Sequence, residues 1–323
     1  MSAAEKKMAE KIACTFHSDI RFEQNTTTYK EALNLYKQLP ALLQNPQNEV
    51  PIKVWLYPLH LLNTKAARVE REITTSVAFQ TESVIEELGK AERTYNDLLG
   101  NSLVNSFSDI KQRLQLFQKS FIIYKTMLLG TVGRVLPVVR GGEMEEKSLE
   151  DILNIHKSSP FNADTVMHWL SDAKAELDIL SFITKSLEGM QIVDSDGLNN
   201  IILNPDVPKV FCLTFTSLDY EDPYLSALKA YLKTDRFKEL DGEHNMVSVA
   251  SIKKWFTDSD LTRTMRFNIK FFKDLSKQFK GQKVLFIISA ISDPSNPGSS
   301  IYMYEHGQLV CKQAQHADCG LGN

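Results

Sequence analysis

The chain is poor in cysteine. Its 323 residues hold four, Cys14, Cys212, Cys311 and Cys319, and no two of them form a CxxC pair. So few, so widely scattered, do not read as a disulfide framework and fit a reduced compartment. Charge of one sign is also lacking. The formal net charge of -3 gives no field that would predict a nucleic-acid partner. No apolar run approaches the roughly 20 residues of a membrane-spanning helix. The N-terminal MSAAEKKMAEKIAC has no apolar stretch of the signal-peptide kind, so the protein is either cytoplasmic or secreted by a route this N-terminus does not show. Walker, GxGxxG and GxSxG patterns are missing, which removes the common phosphate cradles and the nucleophile elbow.

Candidate chemistry is correspondingly thin. Cys311 and Cys319 flank His316, but three ligands fall short of the four a zinc site normally needs, and a loose tail is the better account. Asp194-Ser195-Asp196-Gly197 has the look of a calcium loop. Its glycine comes too early, however, and Pro205 stands where the bidentate glutamate should be, so it reads as a turn. Asn25-Thr26-Thr27 is a glycosylation sequon that helix capping also explains. His156 and His168 have no carboxylate partner evident in the sequence. Glu70, Glu72, Glu82, Glu86, Glu87 and Glu92 read as the solvated face of a helix. The sequence therefore names no catalytic residue, no cofactor and no metal ligand.

What the chain does have is helix. Hydrophobic residues at 43% and charged residues at 24% are ordinary for globular proteins, and the length suggests two domains. Residues 1–12 suit a short helix and 13–23 a strand. Tyr29, Ala32, Leu33, Tyr36 and Leu39 fall at helical spacing until Pro40 ends or kinks the helix. VPIKVWLYPL is a further strand-like run. These pieces are too few to bury their own apolar faces.

From residue 63 to 189 amphipathic helices follow one another. The spacing predicts a first helix over 64–99, a second carrying Val104 through Val135 and stopped by Pro137 and Gly141-Gly142, a short one over 148–156, and a last one capped by Asn162. Short connections between long helices imply an antiparallel four-helix-type bundle. The aromatic stripe Phe107, Phe117, Phe121 and Tyr124 on the second helix either lines the core or docks a partner helix. Past residue 190 the period changes. MQIVDS and NNIILNPD read as short strands, KVFCLTFTSL and KVLFIISAIS as buried strands, PYLSALKAYLKT and 251–279 as helices, and SIYMYEHGQLVCK as a hairpin turning at His306-Gly307. That order describes an α/β layer.

The C-terminal order of strand, helix, helix, strand and hairpin is similar to a thioredoxin fold, and IYMYEHGQLV resembles the hairpin that ends thioredoxins. After VFCLTF, where thioredoxins carry CxxC, this chain reads TSLDYEDPYLSAL. Ser299 holds the usual cis-proline position. With Cys212 inside a buried strand, the domain reads as redox-dead.

A helical block joined to such a domain resembles the stonustoxin/verrucotoxin family of fish cytolysins and their non-venom relatives. CTFHSDIRFEQNTTTYKEALNLYKQLPALL, VPIKVWLYPL and the region from KVFCLTF to SIYMYEHGQLV carry the match. The resemblance implies an α+β chain in three parts. Residues 1–58 would be the end of a membrane attack complex/perforin-like domain, 59–200 a focal-adhesion-targeting-like helical domain, and 201–323 a thioredoxin-like domain. It implies a non-enzymatic scaffold in a pore-forming toxin, partnered by a homologous subunit, meeting the membrane only through segments outside this chain, and secreted if a true toxin. The other readings are an intracellular helical adaptor and a thiol oxidoreductase.

Overall fold

A computed structural model describes residues 29–42, 59–63, 72–187, 189–234, 236–238, 249–250 and 252–315. The chain forms two compact units, 1–67 and 68–323. In the first, the described elements are α1 (Tyr29–Leu42) and a 3-10 turn at Leu59–Leu61. Helix α1 runs two residues beyond Pro40; so near the C-terminal end the missing donor breaks little of the ladder. The strands expected over 13–23 and in VPIKVWLYPL, the helix over 1–12 and the His316–Cys319 cluster lie outside the described residues.

The second unit begins with α2 (Thr75–Leu99), α3 (Ser102–Ser106), α4 (Ser108–Arg140), α5 (Lys147–Ser158) and α6 (Ala163–Ser186). Helix α2 starts later than the apolar spacing suggested, because Thr74 is extended and its side chain accepts from the Val77 amide. The second expected helix is split. Phe107 adopts an extended backbone between α3 and α4, which turns its ring into the core at 1% exposure. Asn162 caps α6 as expected, accepting from the Thr165 amide at 3.0 Å. Helix α4, 33 residues long, does contain an 18-residue window of mean hydropathy 1.4, long and apolar enough to cross a membrane by length and composition. Here that apolar stripe is the bundle core: Leu114, Phe117, Phe121, Tyr124 and Leu128 are all buried.

The sheet follows: β1 (Gln191–Ile192), α7 (Ser195–Ile202), β2 (Lys209–Phe215), α8 (Pro223–Leu232), α9 (Ser259–Gln278), β3 (Val284–Ala290), β4 (Ser299–Glu305) and β5 (Gln308–Cys311). Strand order is β1-β3-β2-β4-β5, with β1, β3 and β2 parallel and the last two antiparallel. Since β1 already pairs with β3, the sheet layer opens some ten residues before the expected boundary at 200. The first half of NNIILNPD, residues 199–202, is helix rather than strand, and the rest is turn. Asp194 caps α7 by accepting from the Gly197 amide at 2.8 Å, and the calcium-loop lookalike is that cap.

Central β2 is buried along almost its whole length. Its alternation sends Phe211, Leu213 and Phe215 into the same core as the helices, while Val210 and Cys212 face a second cluster with Leu198 of α7. Helices thus cover both faces, as a sheet with a parallel centre requires. The hairpin turns at His306-Gly307, both with positive φ, the two-residue turn that matches strand twist.

Candidate functional site: a buried junction between helices and sheet

The loop that leaves β2, Thr216 to Asp222, is where a thioredoxin would carry its reactive pair. Here it is packed against the helical layer. The Phe215 ring meets Phe107 edge-on at 5.7 Å, and Leu218 is buried. Arg113 of α4 donates from Nη1 to the Leu218 carbonyl oxygen. Its Nη2 lies 2.7 Å from Glu176 Oε2 on α6. The other Glu176 oxygen accepts from the Trp255 indole at 2.7 Å, and the Arg113 guanidinium sits 4.1 Å over the Tyr220 ring. Two buried charges are tolerable because each is paired and further hydrogen-bonded. Burial, with the Glu176 charge beside it, holds the Tyr220 phenol well above its usual range. The space left among these groups is about 10 Å³, too little for a ligand.

A second contact lies two turns away along α6. Trp169 of α6 donates its indole N–H to Asp222 Oδ2 at 2.7 Å. Asp222 Oδ1 meanwhile accepts from the Tyr224 amide at 2.9 Å, capping α8, whose Pro223 suits the first helical position. Lys254 reaches Asp172 at 2.7 Å. The Trp255 segment, expected as part of one helix over 251–279, is a 3-10 turn, and Asp258 caps α9 separately. The indole bond to Glu176 accounts for the break.

The four residues of the aromatic stripe are brought together, but inside. Phe107, Phe117, Phe121 and Tyr124 are each exposed by 1% or less. Phe117 stacks on Trp169 at 4.6 Å and Tyr124 on Phe161 at 4.1 Å. A partner helix could reach them only by opening the bundle. Burial of each ring contributes about 1.5–3 kcal/mol, which is the role the stripe plays.

The histidines diverge. His156 is buried, with Nδ1 2.8 Å from the Tyr124 hydroxyl. Burial, helped by Lys157, pushes it down to about 4, so it is neutral near pH 7. Ser159 Oγ gives its single proton to the His156 carbonyl oxygen at 2.7 Å and lies 3.3 Å from the Tyr124 oxygen, so the three side chains form one buried polar cluster. His168 is exposed and does have a carboxylate, Asp172, at 3.7 Å one turn along α6. Glu92 departs from the expected solvated face, pairing with Lys125 to tie α2 to α4.

Cys212 is free and fully buried, and burial pushes its thiol up to about 12. It supplies no thiolate near neutral pH. Cys311 is disulfide-bonded, which overturns the expectation of a reduced set of cysteines. Among the described residues no cluster of three or more metal-ligating side chains occurs. Sequence reasoning missed Arg113, Glu176 and Asp222. Their only signal was polar residues at positions where an amphipathic helix or cap allows them.

Comparison with known proteins places these layers. Residues 83–178 match the stonustoxin helical domain, and residues 189–315 match the thioredoxin-like SNTX domain. Neoverrucotoxin subunit alpha of Synanceia verrucosa is 32% identical over 95% of the chain, and stonustoxin subunit alpha of Synanceia horrida 31% over 95%. Cytolytic toxin-alpha of Scorpaena plumieri is 28% identical over 97%. The chain spans 44% of the length of each. A solved stonustoxin structure aligns with 98% of the chain and 45% of its own, with a TM-score of 0.66 and 26% identity. Its helical layer, its thioredoxin-like sheet and relatives that match it along nearly its whole length place the chain in the stonustoxin family.

Proposed function

We propose that this chain is a non-catalytic scaffold and assembly region of a stonustoxin-like cytolysin. One observation carries the reading: the β2–α8 loop is locked beneath Arg113 and Glu176. A thioredoxin-like domain that acts on disulfides needs that end of the sheet open. Here the surface is spent on fixing the sheet to the helices, which makes the second unit a rigid spacer. The relatives are named as alpha and beta subunits of toxins, which supports a homologous subunit as partner. The chain covers less than half of those relatives, and membrane crossing is assigned to segments outside it. Residues 1–58 are read as the end of a perforin-like domain. A disulfide at Cys311 supports an oxidising, extracellular setting.

The test is functional. Purified chain should neither reduce insulin disulfides above background nor release dye from liposomes or haemoglobin from erythrocytes. Lysis by the chain alone would overturn its role as a scaffold without pore-forming segments. Insulin reduction lost on Cys212→Ser would restore the oxidoreductase reading. An adaptor using the aromatic stripe is disfavoured by the burial of all four rings.

A further inference from the structure

Helix α9 buries Met265, Asn268, Phe272 and Leu275. The opposite face is a cationic row. Arg266, Lys270, Lys273 and Lys277 recur every three or four residues and are exposed, so they share one side of the helix, and exposed Lys280 follows just past its end. Lys277 is paired with Asp274 at 3.1 Å; the other four have no acidic partner among the described residues. Within the row Phe267 projects at 56% exposure, stacked on Phe271 at 6.4 Å. This exposed aromatic ring beside unpaired cations would be complemented by an acidic surface with an apolar floor.

The same chain presents that complement. Between α2, α4 and α5 runs a groove of about 620 Å³, floored by Ile73, Ile85 and Leu136 and rimmed by Glu72, Glu82 and one cation, Arg140. Glu86 follows one turn beyond Glu82 on α2. The acidic loop Glu143–Glu146 is held beside Thr74, whose amide donates to Glu146 Oε1 at 3.0 Å. The groove thus has an apolar floor wide enough for a phenyl ring and a predominantly acidic border. The α2 border from Thr75 to Glu86 and the α9 row from Arg266 to Lys277 are each about 17 Å long at 1.5 Å per residue.

We infer that α9 of one copy docks its Phe267 and lysine row into the α2–α4–α5 groove of a second copy. Within one chain α9 is held against β4 and the Trp255 turn, so its outer face cannot reach its own groove. The occupant is a neighbour. The two surfaces differ, so the contact is head-to-tail and can propagate from copy to copy. This deepens the assembly reading above and rests on it, and it names the surfaces.

The experiment is a charge swap on the full chain, read by sedimentation velocity across concentration and salt. Wild type should self-associate, less so as salt rises. Lys270→Glu/Lys273→Glu/Lys280→Glu should weaken association on the order of 100-fold by setting like charges together, as should Glu72→Lys/Glu82→Lys/Glu86→Lys. Mixing the two variants should restore it, since each then offers the other a complementary face. Phe267→Ser should weaken association without removing its salt dependence. A wild-type chain that stays monomeric at every concentration overturns the contact. So does a mixture that fails to re-associate while both variants keep the wild-type circular dichroism. Association indifferent to both reversals overturns this pairing but leaves the scaffold reading standing, whereas lysis by the chain alone strikes that reading and not the contact.

Discussion

Arg113 on α4 and Glu176 on α6 meet at 2.7 Å in the core, and the two residues hold opposite ends of one bridge to the sheet: Arg113 to the Leu218 carbonyl, Glu176 to the Trp255 indole. Removing one partner leaves the other charged and buried. Arg113→Met should destabilise the unit by about 3–5 kcal/mol in urea titrations. The pair Arg113→Met/Glu176→Met should recover much of that loss, because two apolar side chains leave no orphan charge. Equal cost for the single and double variants would show that the pair matters for packing alone.

His156 sets a pH dependence whose sign follows from its lowered value. The unfolded ring titrates near its ordinary value of 6.5 and the folded one at about 4. The unfolded state therefore binds more protons between those values. Stability from this group is fully present above about pH 6.5 and is lost as pH falls towards 4, on the order of 3 kcal/mol in all. Thermal midpoints from pH 7.5 to 4 should drop for wild type and drop less for His156→Gln. Parallel curves would assign the acid loss to other groups.

Cys212 should resist chemistry while the fold is intact. Its sulfur is buried and its thiol is pushed up to about 12, so iodoacetamide at pH 8 should leave it unlabelled for as long as the native state lasts. Labelling should be complete in guanidinium. Native labelling at the rate of a free thiol, read by mass spectrometry, would mean that the sheet opens far more often than its packing implies.

Asp222 performs two tasks at once, capping α8 and accepting the Trp169 indole. Asp222→Ala should cost about 2–3 kcal/mol, a lost cap together with a lost charged acceptor. Trp169 emission should change with it. Asp222→Asn should retain most of the cap and part of the stability. No difference between the two variants would deny the cap its share.

Much of the layout is legible in the residues. The helix start at Asn162, the buried strand at 209–215, the half-buried strand at 284–290 and the hairpin at His306-Gly307 follow from capping, burial and turn rules that act over a few residues, and Gly141 ends a helix that runs through Pro137 rather than stopping there. The misses share a cause. Phe107 breaks the second helix because its ring packs on Phe215, a hundred residues away. Trp255 leaves the helical path because Glu176 takes its indole. Ile201 and Ile202 read as strand, yet they sit on a helix because Asp194 caps it and the sheet needs a cover. The aromatic stripe was open to either a core or a docking role, and only the neighbouring helices decided that it is core.

The sequence by itself determined the layers: a helical block, a mixed sheet lacking CxxC, and the family these resemble. Their local signals, periodicity and turn chemistry, are written in neighbouring residues. The tertiary structure alone decided that the strand end, where thioredoxins keep their reactive pair, lies beneath a buried Arg113–Glu176 bridge. That bridge joins positions 63 residues apart, and no spacing rule reaches so far. Whether a polar side chain faces water or a partner depends on what the rest of the chain brings against it.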